Sequence, residues 1–225
     1  MRNPWTVLGG WALPPQELIP LFDDNARFID VNHQMKKIVT NEQLIRNWDS
    51  QLAQLLFTDN SEPCYLAGWS TGAIIATALA SIIKPKALIL FAPTQSFCRR
   101  ESFLQGTRPS IIKTMINELD YKKEAVLLQF FSRCGIDNDH STENYSVKEL
   151  QNGLFFLLQV NLSKLVPLEC PVICFHGKED KIIPIEAGRV ICKAIGGTMY
   201  ELEGPHAFYQ KSAREIKTII EDIVR

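Results

Sequence analysis

The residues with the clearest chemical potential form a G-W-S-T-G pentapeptide at positions 68–72, with Ser70 at its centre. An apolar run precedes it and an Ala-rich stretch follows it, so the context predicts a strand, a sharp turn and a helix. Glycines on both sides of such a turn allow neighbouring backbone to approach closely. The turn also directs the free N–H groups of the helix towards the serine. The pattern therefore predicts a serine nucleophile for acyl transfer, with backbone donors for the oxyanion.

The chain contains only four histidines that could act as the base. In a triad built on such a turn, an acid and then a histidine follow the serine along the sequence. His33 precedes Ser70, and neither His140 nor His176 has an acid before it at a strand end. His206 lies in a Gly-Pro loop between a predicted strand and the predicted last helix, where parallel sheets carry catalytic groups. We therefore predict that His206 is the general base.

The acid of the predicted triad is Asp180, which occupies the equivalent position one strand earlier. A buried carboxylate there would fix the tautomer of His206 and stabilise the imidazolium that forms when Ser70 loses its proton. Glu179 is the alternative acid. A single loop aspartate usually caps a helix, so it is the order Ser, Asp, His that favours a catalytic role for all three residues.

Composition fits one folded α/β domain, because the chain has 225 residues, 46% of them hydrophobic, and a net charge of −1. No block of basic residues interleaved with aromatic residues is present, which argues against a nucleic-acid partner. Residues 1–10 do not resemble a signal peptide, and no apolar run has membrane-spanning length. We expect a cytoplasmic protein with no membrane partner.

Cysteine usage indicates neither a disulfide framework nor a metal site. Most of the six cysteines lie in or beside apolar segments, where reduced cysteine behaves as a small hydrophobic residue. Cys170 and Cys174 are closely spaced but have no companion cluster of histidine or cysteine. We therefore expect no metal.

Strand-like runs alternate with helical patterns at both ends of the chain, which predicts a mostly parallel, doubly wound sheet. The predicted strands are 5–8, 27–31, 64–67, 87–91, 172–175 and 198–202, and the predicted helices include 15–22, 41–57, 73–80 and a last helix ending near 224. Thr40 and Gln43 form a capping-box pattern at the start of the helix predicted over 41–57. The continuous apolar run 87–91 is typical of a strand buried on both faces.

The alternation stops between Pro93 and Pro167, where helical patterns occur at 111–119, 124–131 and 147–158. We interpret residues 96–167 as a helical cap, inserted after the strand that follows the nucleophile helix. The α/β core then consists of 1–95 and 168–225. Apolar cap residues would roof a pocket above Ser70. Residues 97–133 contain seven basic and four acidic residues, which indicates either a solvated helical face or a docking surface for an acidic carrier.

Several segments together resemble a known family. They are L-G-G-W-A-L at 8–13, the pentapeptide at 68–72, L-Q-N-G-L at 150–154, G-K-E-D at 177–180 with Pro184, and P-H-A-F at 205–208. The chain resembles the α/β-hydrolases and, within them, the pimeloyl-[acyl-carrier-protein] methyl ester esterases of biotin biosynthesis. The catalytic motifs are shared by many hydrolases, whereas Trp11, Trp69 and the N-G-L cap segment favour this subgroup.

The resemblance implies an α/β-hydrolase fold in which Ser70 is the nucleophile, His206 the base and then the acid, and Asp180 the orienting carboxylate. The oxyanion hole would be the backbone N–H groups of Trp11 and Thr71. Trp11 could equally be a packing residue, but a Gly-Gly-Trp loop at a strand end is where a second donor is required.

The implied substrate is a medium-chain dicarboxylate methyl ester held on acyl carrier protein. Trp11 and Phe130 would bind substrate, and Arg99, Arg100 and Lys122 would face the carrier. Hydrolysis through an acyl-enzyme needs no cofactor.

Other functions remain open because loops around the pocket set specificity. Gly9 stands where such enzymes usually carry histidine, and residues 32–35 replace the usual Gly-rich turn. The alternatives are a general carboxylesterase, a thioesterase, a lyase of the menaquinone-pathway type, and a catalytically idle binding protein. A haloalkane dehalogenase is disfavoured, since it would need an aspartate in place of Ser70.

Overall fold

A computed structural model describes residues 5–22, 25–57, 65–136 and 140–224. In chain order the strands are β1 (Trp5–Leu8), β2 (Arg27–Ile29), β3 (Val39–Thr40), β4 (Gln43–Leu44), β5 (Tyr65–Trp69), β6 (Ala87–Phe91), β7 (Val172–Gly177) and β8 (Thr198–Leu202). The helices are α1 (Val31–Ile38), α2 (Trp48–Leu56), α3 (Thr71–Ile83), α4 (Pro109–Cys134), α5 (Val147–Gln159), α6 (Ile185–Ala194) and α7 (Tyr209–Val224), and a 3-10 helix spans Pro15–Leu21.

Six strands form one parallel sheet in the order β2-β1-β5-β6-β7-β8. Every residue of β6 and of β7 is buried, as expected for strands that helices cover on both faces. Leu8 pairs with Gly68, and Gly177 pairs with Leu202. The loops that follow β1, β5, β7 and β8 therefore leave the same edge of the sheet. The parallel sheet predicted from the sequence is confirmed.

The helix predicted over 41–57 is wrong in its first half. Residues 39–44 form the antiparallel hairpin of β3 and β4, and the helix begins only at Trp48. Asn41 and Glu42 at the hairpin tip have φ values of 48° and 64°, a left-handed conformation that suits a two-residue turn and prevents a helix from starting there. Thr40 and Gln43 accordingly pair across the hairpin instead of forming a capping box.

Helix α1 was not predicted from the sequence. Asp30 caps its amino terminus by accepting a hydrogen bond from the backbone N–H of Asn32 at 2.9 Å. Its buried residues are Val31, Asn32, Met35 and Ile38, so its inner face mixes apolar side chains with one amide. The helix contains residues 32–35, which the sequence analysis noted as replacing the Gly-rich turn usual in the family.

Two long helices lie between β6 and β7, where the helical cap was predicted. Patterns 111–119 and 124–131 belong to one element, α4, whose axis is kinked at Lys122 with φ −140° and ψ 34°. Helix α5 begins at a capping box in which Ser146 and Glu149 bond each other reciprocally. Among the described residues, no helix is both long and apolar enough to span a membrane.

Candidate active site

Ser70 occupies the sharp turn between β5 and α3. Its backbone has φ 57° and ψ −116°, a conformation that is costly for a residue with a side chain. Its N–H donates to the carbonyl of Phe91 on β6 at 2.9 Å. A Cβ at Gly68 would overlap the carbonyl oxygen of Gly72, and a Cβ at Gly72 would overlap that of Leu8. Both glycines are therefore required by close backbone contacts, as the sequence pattern predicted.

Asp180 and His206 are in direct contact. Nδ1 of His206 lies 2.7 Å from Oδ2 of Asp180, and neither side chain is exposed to solvent. The other carboxylate oxygen, Oδ1, accepts hydrogen bonds from the backbone N–H groups of Ile182 at 2.8 Å and Ile183 at 2.9 Å. Because Asp180 is held on both oxygens, it offers a fixed acceptor to His206.

His206 is oriented so that Nδ1 contacts Asp180 and Nε2 has no partner among the described residues. A carboxylate at Nδ1 favours the tautomer with the proton on that nitrogen, and Nε2 is buried with no hydrogen-bond partner in the described part of the chain. The indole N–H of Trp69 donates to the carbonyl of His206 at 3.3 Å, and the two rings lie 5.3 Å apart. His206 therefore packs beside the residue that immediately precedes Ser70.

The charge on Asp180 is stabilised by its surroundings. Burial by itself would raise the pKa of this carboxyl group. Interaction with His206 and hydrogen bonds from His176 and His206 outweigh burial, and they hold the pKa of Asp180 well below its usual range. Asp180 is therefore ionised at neutral pH.

His176 is a second histidine on the same carboxylate. Its Nε2 lies 2.9 Å from the carbonyl oxygen of Ile183 and 3.3 Å from Oδ2 of Asp180. Both neighbours are acceptors, so Nε2 carries a proton. His176 is fully buried, and the sequence analysis gave it no role.

Backbone donors lie next to Ser70 on two segments. The loop after β1 approaches it closely, since a Cβ built at Gly10 would lie 3.6 Å from Cβ of Ser70; the next residue is Trp11. On the other side, the N–H of Ala73 donates to the carbonyl of Ser70, whereas the N–H of Thr71 is the first of α3 and has no carbonyl one turn before it. This placement suits an oxyanion hole.

A cavity of about 320 Å³ adjoins Ser70. Its lining is mostly apolar and comes largely from the cap: Trp11, Ser70, Thr71, Phe97, Arg99, Gly106, Thr107, Arg108, Ile111, Ile112, Met115, Val126, Gln129, Phe130, Arg133, Leu154, Leu157 and Ile182. The rings of Trp11 and Phe130 meet edge to face at 4.8 Å, and the indole N–H of Trp11 donates to the carbonyl of Leu150 at 2.9 Å. Trp11 thus joins the core to the cap and lines the pocket.

Of the three predicted carrier-facing cations, the structure places only Arg99 at the pocket. Arg100 is turned inward, where its guanidinium donates to the carbonyl oxygens of Leu158 at 2.8 Å and Val160 at 3.4 Å. Lys122 lies at the kink of α4 and is 3.8 Å from the carboxylate of Glu118. Neither lines the cavity.

The alternative acid, Glu179, does not contact His206. Its side chain is exposed, and its backbone N–H donates to the carbonyl of Gly204 at 3.0 Å. His33 and His140 pair instead with carboxylates of Glu149 and Glu17, at 2.8 Å and 2.9 Å.

Sequence reasoning missed four residues near this site: Asn32, Arg108, Arg133 and His176. His176 precedes Asp180 by four residues, a spacing that was visible but carried no chemical signal alone. Arg108 and Arg133 were counted as basic cap residues without being distinguished from the others. Asn32 was noted only as part of a departure from the family pattern.

The chain is similar in sequence to esterases from several bacteria, although no protein-family model matches it. In sequence, it is 28% identical to the pimeloyl-[acyl-carrier protein] methyl ester esterase of Chromobacterium violaceum, over 69% of this chain and 68% of that protein. It is 22% identical to the enzyme of the same name from Xylella fastidiosa, over 72% and 71%.

Among solved structures, an esterase from Exiguobacterium antarcticum superposes with a TM-score of 0.78 at 15% identity, covering 100% of this chain and 94% of that one. At that identity the likeness concerns the fold alone. The chain has the α/β-hydrolase fold, and its sequence resembles the pimeloyl-[acyl-carrier-protein] methyl ester esterases.

Proposed function

We propose that this protein is a serine carboxylesterase that hydrolyses the methyl ester of pimeloyl-acyl carrier protein. In this proposal Ser70 is the nucleophile, His206 the general base and Asp180 the orienting acid. The observation that carries it is the 2.7 Å contact between His206 and Asp180, together with a Ser70 that lines an apolar pocket. The substrate is taken from the name that the sequence relatives share.

The proposed reaction has two steps. Ser70 Oγ attacks the ester carbonyl while Nε2 of His206 takes its proton, and methanol leaves with that proton. Water then attacks the acyl-enzyme with the same assistance, and the free acid departs. The N–H groups of Trp11 and Thr71 would stabilise the oxyanion in both steps.

The chemistry of the pocket agrees with an acyl substrate attached to an acidic carrier. Apolar cap residues would accommodate the acyl chain. The lining includes Arg99, Arg108 and Arg133 and no carboxylate, and all three arginines are exposed. A rim of one charge sign attracts a partner of the opposite sign. The guanidinium of Arg133 already donates to the carbonyl of Lys181 at 2.9 Å. We therefore infer that Arg99 and Arg108, and not Arg100 or Lys122, meet the carrier.

A general carboxylesterase acting on small acyl esters is the second candidate. It is favoured by the apolar character of the pocket and by the esterase with the same fold. A thioesterase or a lyase using the same three residues would require a different substrate in the same pocket.

The experiment that tests the proposal measures release of free acid from pimeloyl-carrier-protein methyl ester by wild type and Ser70→Ala, with p-nitrophenyl butyrate assayed in parallel. Fast cleavage of the carrier ester that is lost in Ser70→Ala supports both the substrate and the nucleophile. Cleavage of only the small ester would leave a general esterase. No Ser70-dependent turnover of either would contradict the proposal and favour the lyase or binding alternatives.

The proposed contact between the pocket arginines and the carrier protein is tested separately. Arg99→Gln and Arg108→Gln should lower kcat/KM for the carrier ester and leave kcat/KM for p-nitrophenyl butyrate within about twofold, because rim charges act mainly on association with a charged partner. Lys113→Gln removes an exposed cation of α4 outside the pocket lining and serves as the matched control. Equal effects of all three variants would contradict a specific arginine rim.

A further inference from the structure

One buried side chain holds the two peptide groups on either side of Trp11. Nδ2 of Asn32 donates to the carbonyl of Gly10 at 3.2 Å, and Oδ1 of Asn32 accepts from the N–H of Ala12 at 3.0 Å. Asn32 is only 1% exposed. Ala12 has φ 60°, a left-handed conformation that a non-glycine residue keeps only when its surroundings enforce it.

The bond to Gly10 determines where the N–H of Trp11 points. The carbonyl of Gly10 and the N–H of Trp11 belong to one planar trans peptide, in which they face in opposite directions. Drawing the Gly10 oxygen towards Asn32 therefore turns the N–H of Trp11 away from Asn32. The same loop lies against Ser70, since a Cβ built at Gly10 would be 3.6 Å from the Cβ of Ser70.

The amide of Asn32 is itself fixed in one orientation. Oδ1 of Asp30 accepts from the backbone N–H of Asn32 at 2.9 Å and from its Nδ2 at 3.0 Å. The other oxygen of Asp30 accepts from the hydroxyl of Tyr145 at 2.7 Å. A flipped amide would place its oxygen against two acceptors, Gly10 and Asp30, and its NH₂ against the N–H of Ala12. Only the observed orientation satisfies every group.

We propose that Asn32 is a positioning residue that fixes the N–H of Trp11 for stabilisation of the oxyanion. Asn32 acts only through the loop and contacts neither Ser70 nor substrate. The inference rests on the proposed function, since it presumes an oxyanion formed on attack by Ser70. Its physical basis is that an oxyanion donor contributes most when it needs no reorganisation during the reaction.

The test uses Asn32→Ala and the isosteric Asn32→Asp on the full chain with p-nitrophenyl butyrate. In Asn32→Asp a carboxylate faces the carbonyl of Gly10 and the carboxylate of Asp30, so the loop loses its donor without a change of side-chain size. We expect kcat to fall about 10- to 100-fold with KM within about twofold, because a misplaced donor loses transition-state stabilisation only.

A tetrahedral inhibitor separates positioning from general structure. Affinity for a trifluoromethyl ketone, which forms an oxyanion adduct on the serine, should fall by the same factor as kcat, whereas affinity for the product butyrate should not change. Thr77→Val is the control, because it removes a buried hydrogen bond within α3, from Oγ1 of Thr77 to the carbonyl of Ala73 at 2.8 Å, that does not involve Asn32, Asp30 or the loop after β1. It should lower Tm and keep the affinity for the ketone.

Three results would overturn the inference: wild-type kcat in both Asn32 variants, equal losses of ketone and butyrate affinity, or a Thr77→Val variant with the full Asn32 effect. If Asn32→Ala does not fold, Asn32→Asp, checked by near-ultraviolet circular dichroism, decides the question. Failure of the proposed function is distinguishable, because Ser70→Ala would then keep its activity. Loss of activity in Ser70→Ala with normal Asn32 variants would remove only the role of Asn32.

Discussion

Nε2 of His176 lies 3.3 Å from the same Oδ2 atom of Asp180 that Nδ1 of His206 approaches at 2.7 Å. The carboxylate therefore receives two imidazole donors on one oxygen and two backbone N–H donors, from Ile182 and Ile183, on the other. A carboxylate with this many donors is stabilised in its charged form. His176 and His206 therefore both stabilise the negative charge on Asp180.

His176→Leu should weaken the protection that Asp180 gives the fold against acid, because it removes one of the donors that hold the pKa of that carboxyl group below its usual range. The gain in the free energy of unfolding between pH 3 and pH 7 should therefore be smaller in His176→Leu than in the wild type. His176→Gln can place an N–H where Nε2 stands, so its gain should remain close to that of the wild type. The measurement is thermal unfolding of these variants between pH 3 and 7, with His140→Gln as a control outside the site. An unchanged gain in His176→Leu would show that the contact does not stabilise the charged carboxylate.

Asp180 should make the stability of the fold depend on acid pH. Its folded-state pKa is lowered relative to about 3.9 in the unfolded chain, so the folded state binds the proton less readily. The resulting stabilisation is fully present above the unfolded value, and it is lost as pH falls from about 4 through the folded pKa. Thermal unfolding of wild type and Asp180→Asn between pH 3 and 7 measures this effect. The wild type should lead by on the order of 2 kcal/mol at pH 7, and its advantage should shrink at pH 3; a constant difference would contradict the assignment.

The sequence was sufficient for features that depend on local pattern. The run 87–91 is apolar throughout because β6 is buried on both faces, and the glycines at 68 and 72 are required by backbone contacts that any tight strand-to-helix turn creates. The placement of Ser70, Asp180 and His206 in loops at one edge of the sheet follows from the topology, since the carboxyl ends of parallel strands lie together. These predictions needed no knowledge of side-chain packing.

Features that depend on long-range contacts were not predictable. The hairpin of β3 and β4 stands where a helix was predicted because Asn41 and Glu42 adopt left-handed backbone angles. Helix propensity does not predict these angles. Asn32 is polar on a helix that the pattern did not show, and its role depends on a loop twenty residues earlier. Arg100 could not be separated from Arg99 because adjacent side chains point in different directions.

Gly153→Ala should impair catalysis although alanine is the better helix former. A Cβ at Gly153 would overlap Cδ1 of Trp11, so the substitution pushes the indole ring into the pocket that it lines. On propensity alone, glycine to alanine within α5 would stabilise the helix by about 1 kcal/mol. We expect kcat/KM for p-nitrophenyl butyrate to fall roughly tenfold, as a 1 Å displacement near the reacting groups can cost more than this.

The control for Gly153→Ala is Lys148→Ala, at an exposed position of the same helix. It should leave kcat/KM and Tm near the wild-type values. If Gly153→Ala raised Tm and left kcat/KM unchanged, Trp11 would have to move without affecting the pocket, and its place in the site would be wrong.

Substitution of Arg100 should affect the stability of the fold, whereas substitution of Arg99 should affect activity on the carrier ester. The guanidinium of Arg100 donates to carbonyl oxygens of Leu158 and Val160 at the end of α5. Because Val160 also accepts from the hydroxyl of Ser96, Arg100→Gln removes the side-chain donor mainly from Leu158 and should lower stability by about 1 to 3 kcal/mol. Its ratio of kcat/KM between the carrier ester and p-nitrophenyl butyrate should not change.

Arg99→Gln should do the opposite, with an unchanged Tm and a lower ratio of kcat/KM, because an exposed guanidinium contributes little to folding and more to association with an acidic partner. Denaturant titration and paired kinetics of the two variants measure both quantities, and a lowered ratio in Arg100→Gln would return this residue to the carrier-facing set that the sequence predicted.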